Sequence, residues 1–451
     1  MVSVAGFTDV ESEDSLRPEA FVNTRAAPGS EMRRLVVQDS RDMDSKISVV
    51  ILSYVTHYYY AALAAQRAGL LKRFITGIAL TQEWQRRIIN VLPMYYQNRV
   101  SNYMYYHLRP ELVTPIWVFP AIEKLLIRVF PGRSQSISNT LRVAFDKISC
   151  KFVEPSDIFH FSASQGLYAA TKAKSMGAVV IMDERGPHPR YLERVLRPEY
   201  EALGLEARIP ELSYLDRRIA EYALADYIIV PSEFAAGTLV AEGVEEGKII
   251  VLPYGVDVSG FRPTPKQDDV FRVVFVGRVS IAKGVLYLLK AFKELKLPGS
   301  ELVLIGRMDA NTEHLMKEYD DHCKWLGKIP HSELHKYYSN GSIFVLPSLA
   351  EGSALVVYEA MACGLPVVVT ANCGAVIEDG VHGFVIPPKD ISALKDRIEF
   401  LYENKSVREE MGGAARLYVQ EFTWDRYGER LVKVYHSVLA QKGRERTTSE
   451  S

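Results

Sequence analysis

The two glutamates of the stretch Glu351-Gly-Ser-Ala-Leu-Val-Val-Tyr-Glu359 stand at the start of a predicted helix, where carboxylates can hydrogen-bond hydroxyl groups. An apolar run over 342–348 predicts a strand before them, so Glu351 falls in a loop and Glu359 one to two turns into the helix. At about 100° per residue, a spacing of eight places both carboxylates near one side of that helix. Backbone N–H groups at a helix N-terminus bind phosphate or sugar oxygens, and here they belong to Gly352, Ser353, Ala354 and Leu355. Carboxylates beside amides suit a nucleotide sugar, although two glutamates at this spacing also occur on solvated helix faces.

A second turn, earlier in the chain, combines a glycine with two basic side chains. Residues 273–284 predict a buried strand, a tight turn and a new helix, with Gly277 in the turn and Arg278 and Lys283 beside it. Arginine offers a planar fork to two phosphate oxygens, and lysine offers a mobile charge. The Gly-x-Gly-x-x-Gly spacing of dinucleotide sites is absent from this turn. The turn therefore predicts a basic cradle for a diphosphate.

Seven short motifs follow one another through the C-terminal half of the chain in the order of a known family. They resemble those of the retaining glycosyltransferases of family 4 (glycosyl transferases group 1), which have the GT-B fold. The resemblance covers roughly residues 225–440 strongly and 46–190 loosely. The motifs are Gly255-Val-Asp257, Phe275-Val-Gly277-Arg278 with Lys283-Gly284, Leu302-Val-Leu-Ile-Gly306, Phe344-Val-Leu-Pro-Ser348 with the glutamate pair, Glu359-Ala-Met-Ala-Cys-Gly364, Gly383-Phe-Val-Ile-Pro387 and Phe422-Thr-Trp424.

The resemblance implies an α/β protein with two Rossmann-like, doubly wound domains that face each other across a cleft. It implies a hexosyltransferase-type enzyme that moves a sugar from a nucleotide diphosphate sugar to an acceptor hydroxyl with retention of anomeric configuration. Neither a metal ion nor another cofactor is expected, and the pathway would be glycan, polysaccharide or glycolipid synthesis. Arg278, Lys283 and the amides would stabilise the leaving diphosphate. Glu351 would bind the transferred sugar and Glu359 the ribose.

Two other functions on the same fold have to be weighed. A non-catalytic GT-B scaffold would bind a nucleotide sugar or a protein partner without turnover. The presence together of the two basic residues and the two glutamates favours the enzyme, because a degenerate copy is expected to lose some of them. A glycogen phosphorylase-like enzyme would need a cofactor lysine and a longer chain. The sequence leaves open the donor base, the sugar and the acceptor, a lipid-linked glycan being one candidate.

Four residues of the N-terminal half are candidates for the acceptor side of the cleft. His57 follows the first predicted strand, in a loop that is usually glycine-rich in the resembling family but has no glycine here. His160 ends the next predicted strand, where many family members carry a histidine. Asp183 follows the strand over 178–182, where the family commonly places a histidine near the reacting sugar. We expect Asp183 in the cleft with Arg185 holding its carboxylate; a packed loop histidine and a loop salt bridge are the structural alternatives.

Alternating strands and helices must position these residues. Apolar runs such as 46–53 are typical of parallel strands buried on both faces, and their alternation with helices predicts parallel sheets. In two such domains, ligands bind at the carboxyl ends of the strands. The predicted organisation is a disordered acidic tail over 1–45, a first domain over 46–255, a second over 256–425, a helix crossing back to the first domain over 426–441 and a disordered tail over 442–451.

The composition is that of an ordinary globular chain, with 48% hydrophobic and 24% charged residues among 451. A net charge of −1 argues against nucleic acid as a partner. The four cysteines have no metal-ligand spacing, and the sequence shows no secretory signal. We expect a cytoplasmic protein, either free or peripheral on the inner face of the plasma membrane.

The segment 86–150 is a basic and aromatic insertion, with nine Arg or Lys, three acidic and nine aromatic residues. Its prolines and charges exclude a membrane span. Such a mixture suits an anionic membrane surface or a lipid-linked acceptor. In that interpretation Trp117, Phe119 and Phe130 insert at the headgroups, while Arg128 and Arg133 face the lipid phosphates. The other interpretation is a helical insertion that packs its aromatic residues against the first domain.

Overall fold

The computed structural model describes residues 47–54, 58–91, 107–207 and 209–449. They form two parallel β-sheets, of seven and six strands, connected by helices, which confirms the predicted fold class. The predicted acidic tail lies outside the described residues. Within them, no helix is both long enough and apolar enough to cross a membrane.

The first sheet contains seven strands, and the second contains six. They are β1 Val49–Ser53, β2 Leu71–Thr76, β3 Val113–Pro115, β4 Ile158–Ser162, β5 Val179–Asp183, β6 Tyr227–Val230 and β7 Ile249–Val251, then β8 Phe271–Val276, β9 Ser300–Ile305, β10 Lys324–Trp325, β11 Ile343–Leu346, β12 Val367–Thr370 and β13 Gly383–Ile386.

The α-helices alternate with these strands and extend past them at the C-terminus. They are α1 Tyr59–Arg67, α2 Glu83–Asn90, α3 Val118–Val129, α4 Ser134–Ser149, α5 Leu167–Ser175, α6 Pro189–Ala202, α7 Leu215–Leu224, α8 Glu233–Ala241, α9 Val285–Leu295, α10 Ala310–Met316, α11 Leu334–Ser339, α12 Leu355–Ala362, α13 Ile391–Glu403, α14 Lys405–Val419 and α15 Trp424–Ser449.

The first sheet has the strand order β3-β2-β1-β4-β5-β6-β7, and its neighbouring strands are parallel. All five residues of β1, β4 and β5 are buried, as expected of strands covered on both faces. The chain moves outward from β1 to β3 and then returns to the other side of β1 to form β4. This reversal opens a crevice at the carboxyl ends of β1 and β4, where ligands bind in such sheets.

The second sheet repeats the same winding, with the order β10-β9-β8-β11-β12-β13. Its reversal lies between β8 and β11, which are paired in parallel through Ile343 and Val273. The turn after β8 carries Arg278, and the loop after β11 carries Glu351. Because the carboxyl ends of adjacent parallel strands meet at one edge, the topology brings the predicted phosphate cradle next to the predicted sugar carboxylate.

The last helix, α15, follows the second domain in sequence but packs on the first. Leu431, Tyr435 and Val438 are fully buried in the same apolar cluster as β1 and α1. The chain crosses between the domains twice at adjacent points, where the Val256 N–H donates to the Phe422 carbonyl at 2.8 Å. Gly255 permits this contact, since a Cβ there would lie 2.4 Å from the Trp424 nitrogen. The helix spans Trp424–Ser449 and is longer at both ends than the predicted 426–441.

The described part of the basic insertion consists mainly of α3 and α4, packed against each other. Phe119 and Phe145 are buried and meet edge to face, with ring centroids 6.2 Å apart. Trp117 and Phe130 are instead exposed, at 66% and 51%. Phe119 is therefore buried, and the prediction that it inserts at the headgroups is wrong. Trp117 and Phe130 lie at the surface.

Candidate active site

The turn after β8 presents two cations in different environments. Arg278 is 67% exposed, and its Nη1 lies 3.5 Å from Asp309 Oδ1. Lys283 ends a 3-10 turn over Ile281–Lys283 and is about one-fifth exposed. Burial lowers the pKa of Lys283 to about 8, and the nearby charge of Arg278 acts in the same direction. The two side chains thus combine a mobile surface charge with a partly desolvated one.

Lys283 and Glu351 form an ion pair across the reversal of the second sheet. Lys283 Nζ contacts Glu351 Oε1, and the carboxylate is also only about one-fifth exposed. This contact opposes the effect of burial, because an adjacent carboxylate favours the ammonium form. The pair joins two residues that the sequence analysis assigned to different parts of the donor.

The loop after Glu351 touches the first domain. A Cβ on Gly352 would lie 1.7 Å from the Arg185 carbonyl oxygen, so only glycine allows the two backbones this close. On the same loop, Ser232 Oγ of the first domain donates to the Gly352 carbonyl at 2.5 Å. The predicted acceptor loop and the predicted donor loop therefore meet in the cleft.

The predicted amides at the start of α12 are not equivalent. The Ala354 N–H donates to the Cys373 carbonyl at 3.0 Å, so this amide is occupied. In the described part of the chain, the N–H groups of Gly352 and Ser353 make no hydrogen bond. Leu355 is the first residue of α12, where helical N–H groups have no intrahelical acceptor. Three of the four predicted amides thus remain available to an anion.

Glu359 lies in the second turn of α12 and is nearly buried. Tyr338 Oη donates to its Oε2 at 2.9 Å, and His331 Nε2 lies 2.8 Å from its Oε1. The hydrogen bond to Glu359 raises the pKa of His331, and the charge of Asp257 adds to this effect. His331 is exposed while Glu359 is only 8% exposed, so His331 covers the carboxylate from the solvent side.

His160 and Asp183 lie close together on the neighbouring central strands β4 and β5 of the first sheet. His160 Nε2 is 3.7 Å from Asp183 Oδ2, and His160 Nδ1 is 2.8 Å from Tyr435 Oη on α15. Both side chains are buried, and among the described residues Asp183 Oδ1 has no hydrogen-bond partner. Burial, followed by the charge of Asp183, raises the pKa of Tyr58. In the part of the chain that the structure describes, the contact with this carboxylate comes from His160 and not from Arg185.

His57 and Arg185 are the remaining residues that the sequence predicted for the acceptor side of the cleft. His57 lies outside the described residues. Arg185 is half-buried, and its backbone forms the contact with Gly352. His331 and Tyr338 could not be identified from the sequence, because the segment around α11 carries no motif of its own. The described residues contain no group of three acidic, histidine or cysteine side chains that could hold a metal ion.

Residues 260–418 match the family model described as glycosyl transferases group 1. A curated relative, the D-inositol 3-phosphate glycosyltransferase of Pseudarthrobacter chlorophenolicus, is 28% identical over 248 residues. The alignment covers 49% of this chain and 59% of the relative. The chain thus spans less than two thirds of the length of that protein.

Two solved structures share the fold over most of this chain. Sucrose-phosphate synthase from Thermosynechococcus elongatus gives a TM-score of 0.59 at 20% identity, covering 88% of this chain and 100% of the other. Anabaena HepE in complex with UDP and glucose gives a TM-score of 0.57 at 16% identity, covering 87% of this chain and 100% of the other. At these identities the likeness shows the arrangement of two facing α/β domains.

Proposed function

We propose that this chain, whose second domain belongs to the glycosyl transferases group 1, transfers a sugar from a nucleoside diphosphate sugar to an acceptor hydroxyl. The observation that carries the proposal is the Lys283–Glu351 ion pair at the reversal of the second sheet. In this pair, a cation that can bind phosphate is in direct contact with a carboxylate that can bind sugar hydroxyls. HepE, which shares the fold, has been solved with UDP and glucose.

In this proposal, the donor replaces the partners that these side chains have without it. Diphosphate oxygens take the place of Glu351 on Lys283, and sugar hydroxyls take the place of Lys283 on Glu351. Arg278 is exposed beside the same turn and can reach a phosphate from the solvent side. The free amides of Gly352 and Ser353 supply further donors. Because both partners are exchanged at once, neither buried charge is left unpaired.

The proposed reaction breaks the bond between the anomeric carbon and the diphosphate oxygen and forms a bond to the acceptor oxygen. The electron pair of the broken bond stays on the diphosphate, where Arg278, Lys283 and the amides stabilise it. The acceptor attacks from the leaving-group face and gives its proton to the departing diphosphate oxygen, so the anomeric configuration is retained. Arg278 and Lys283 neutralise the negative charge of the departing diphosphate, and this supports a mechanism without a metal ion.

The ribose of the donor is assigned to Glu359. Its carboxylate is already oriented by Tyr338, and the exposed His331 can move away from Oε1 to admit a ribose hydroxyl. The acceptor is assigned to the first-domain side of the cleft, near the Asp183–Gly186 loop. The biosynthetic role we propose is in glycan, polysaccharide or glycolipid synthesis.

Incubating the full chain with a panel of nucleotide sugars tests the proposal directly. The measurement is the release of free nucleoside diphosphate, together with calorimetric binding of each bare diphosphate. We expect one base to bind and its sugar conjugate to be cleaved slowly in the absence of acceptor. Unchanged cleavage in the presence of a chelator would support the metal-independent mechanism. A chain that binds no nucleotide and no nucleotide sugar would contradict the proposal.

The same experiment distinguishes the proposed enzyme from a non-catalytic scaffold. It would bind a nucleoside diphosphate without any cleavage of the conjugated sugar. In an enzyme, Lys283→Met removes the cation assigned to the diphosphate and should lower cleavage by about 100-fold. In a scaffold the same change would alter only the binding constant.

A further inference from the structure

Helix α3 exposes a continuous apolar stripe. Val118, Ile122, Leu125 and Val129 are 42%, 38%, 62% and 57% exposed. At about 100° per residue, these four positions fall within roughly 60° of arc, so they form one line along the helix. Trp117 and Phe130 flank this line at its two ends and are also exposed. Contiguous apolar surface of this kind usually marks an interaction site.

The opposite face of α3 is fixed to the first domain. Phe119 and Ile116 are buried in the cluster that contains β4, and Phe119 meets Phe145 of α4. Tyr54 Oη donates to Glu123 Oε2 at 2.6 Å. The helix is therefore held in one orientation, and its apolar stripe points away from the core.

Basic side chains line one edge of the stripe. Lys124 and Arg128 lie on the same side of it, and Arg133 follows at the end of the helix; all three are exposed. Among the described residues, neither Arg128 nor Arg133 makes an ion pair. The only acidic residue between 113 and 145 is Glu123, which is turned inward to Tyr54. This surface is therefore locally positive on a chain whose net charge is −1.

We propose that the α3 stripe, defined as Trp117, Val118, Ile122, Leu125, Val129 and Phe130, docks the protein on an anionic phospholipid bilayer. The aliphatic residues and Trp117 enter the headgroup region, and the basic edge pairs with lipid phosphates. Aliphatic side chains without hydrogen-bonding groups between them lie next to Arg128 and Arg133, which make no ion pair within the described residues. This combination matches a lipid surface better than a specific protein partner, which would need complementary polar contacts.

The position of α3 relates this docking to the cleft. Tyr54, which holds Glu123, directly follows β1 at the reversal of the first sheet. Docking through α3 therefore brings the acceptor side of the cleft close to the bilayer, where a lipid-linked acceptor would lie. The docking itself does not depend on glycosyl transfer and can be measured without any substrate.

Vesicle co-sedimentation of the full chain tests the proposal. We expect the protein to sediment with vesicles of equal parts phosphatidylglycerol and phosphatidylcholine and to stay in solution with phosphatidylcholine alone. At about 0.5 M salt the Debye length falls to about 4 Å, so binding should weaken strongly. The fluorescence of Trp117 should shift to shorter wavelength on binding, and Trp117→Phe should remove that part of the shift.

Paired variants separate the apolar and the charged contributions. Leu125→Gln with Val129→Gln, and Arg128→Glu with Arg133→Glu, should each lower partitioning about tenfold or more. The matched controls are Leu417→Gln, whose leucine is 71% exposed in the second domain, and Lys290→Glu with Lys336→Glu, also exposed there. The controls should bind vesicles like the unchanged protein. Melting temperatures of all four should stay close to that of the unchanged protein, because every altered residue is exposed.

Three results would overturn the proposal. Absence of sedimentation with anionic vesicles at low salt would do so directly. A melting temperature that falls with Leu125→Gln and Val129→Gln but not with Leu417→Gln would mean that another segment of the chain covers the stripe. A dimer in analytical ultracentrifugation that these two changes convert to a monomer, without vesicle binding, would assign the stripe to a second copy.

Discussion

Lys283 is the residue on which the proposed chemistry depends most. It is partly buried, has its pKa lowered to about 8 and contacts Glu351. We expect Lys283→Ala or Arg278→Ala to lower turnover by about 100-fold, the usual loss for one charge-stabilising group. Steady-state kinetics with the donor found in the panel measures this loss.

The control for these two variants is Lys290→Ala, which removes an exposed lysine from α9. It should leave turnover unchanged, and the melting temperatures of all three variants should be similar. Near-normal turnover in both Lys283→Ala and Arg278→Ala would contradict the proposal that the turn after β8 stabilises the leaving diphosphate.

The two glutamates should separate in their effects on binding and transfer. Glu359→Gln should weaken binding of the bare nucleoside diphosphate by about 1–3 kcal/mol, because a charged hydrogen bond to ribose is lost. Glu351→Gln should spare that binding and impair transfer, since its carboxylate is assigned to the sugar. Calorimetry and kinetics on the same preparations measure both. Equal losses of diphosphate affinity in the two variants would contradict the assignment.

His331 should make donor binding depend on pH. It covers Oε1 of Glu359, and its raised pKa means that the charged pair persists to higher pH than for an isolated histidine. The groups that face it are Glu359, Asp257 and the ring of Phe261, and both carboxylates favour the protonated form. Ribose must displace this cation, so the affinity should rise as the pH increases through the pKa of His331.

Calorimetry with the intact nucleotide sugar measures this effect, since its diphosphate has no second ionisation near neutral pH. His331→Gln should bind more tightly at low pH and show a flatter pH profile. A variant with the same profile as the unchanged protein would show that His331 does not compete with the donor.

At the scale of the elements, the sequence predicted the strands better than the contacts between loops. Continuous apolar runs and the strand–helix alternation identified β1, β4, β5, β8 and β11, because parallel strands buried on both faces have little polar sequence. The glutamate pair and the basic turn were found because their glycines and spacing are local. His331 and Tyr338 were missed, since only folding brings the segment around α11 beside α12. The fit of Gly352 against Arg185 depends on how two domains meet, which no local pattern encodes.

The close contact of Gly352 with the first domain gives a prediction for the loop. Gly352→Ala adds a Cβ that would lie 1.7 Å from the Arg185 carbonyl, so the two loops must separate. Misplacing reacting groups by about 1 Å can cost on the order of 100-fold in rate, and we expect a loss of that size. Kinetics and melting temperature are measured together, and the latter should change little because both cores are untouched.

Gly237→Ala is the matched control for this substitution. Gly237 lies inside α8, and a Cβ there meets nothing within 4 Å. This variant should keep its activity and gain about 0.5–1 kcal/mol of stability from the helix propensity of alanine. A fully active Gly352→Ala would mean that the loop contact is not needed for turnover.

At the scale of the whole molecule, the C-terminal helix α15 forms part of the core of the N-terminal domain. Helix α15 places Leu431, Tyr435 and Val438 against β1 and α1, and Tyr435 also bonds to the buried His160. The apolar surface of β1 and α1 that α15 covers therefore cannot be buried until the second domain has been synthesised. Two adjacent crossings, at Gly255 and at Phe422, join the domains covalently. The domains also meet across the cleft, where Leu192 and Leu196 of α6 pack in one buried cluster with Leu349 of the second domain.

This connectivity predicts which domain loses stability when a residue of α15 is mutated. Leu431 is fully buried, so Leu431→Ala should cost about 2–5 kcal/mol, as expected for a cavity in a packed core. The lost protection against hydrogen exchange should appear in β1, β4 and α1 of the first domain, although Leu431 follows the second domain in sequence. Leu417→Ala, at a position 71% exposed, should change stability by no more than about 0.5 kcal/mol. If Leu431→Ala instead loosened β8, β11 and β12, then α15 would be supporting the second domain, and the two domains could be separated by cutting the chain before Gly255.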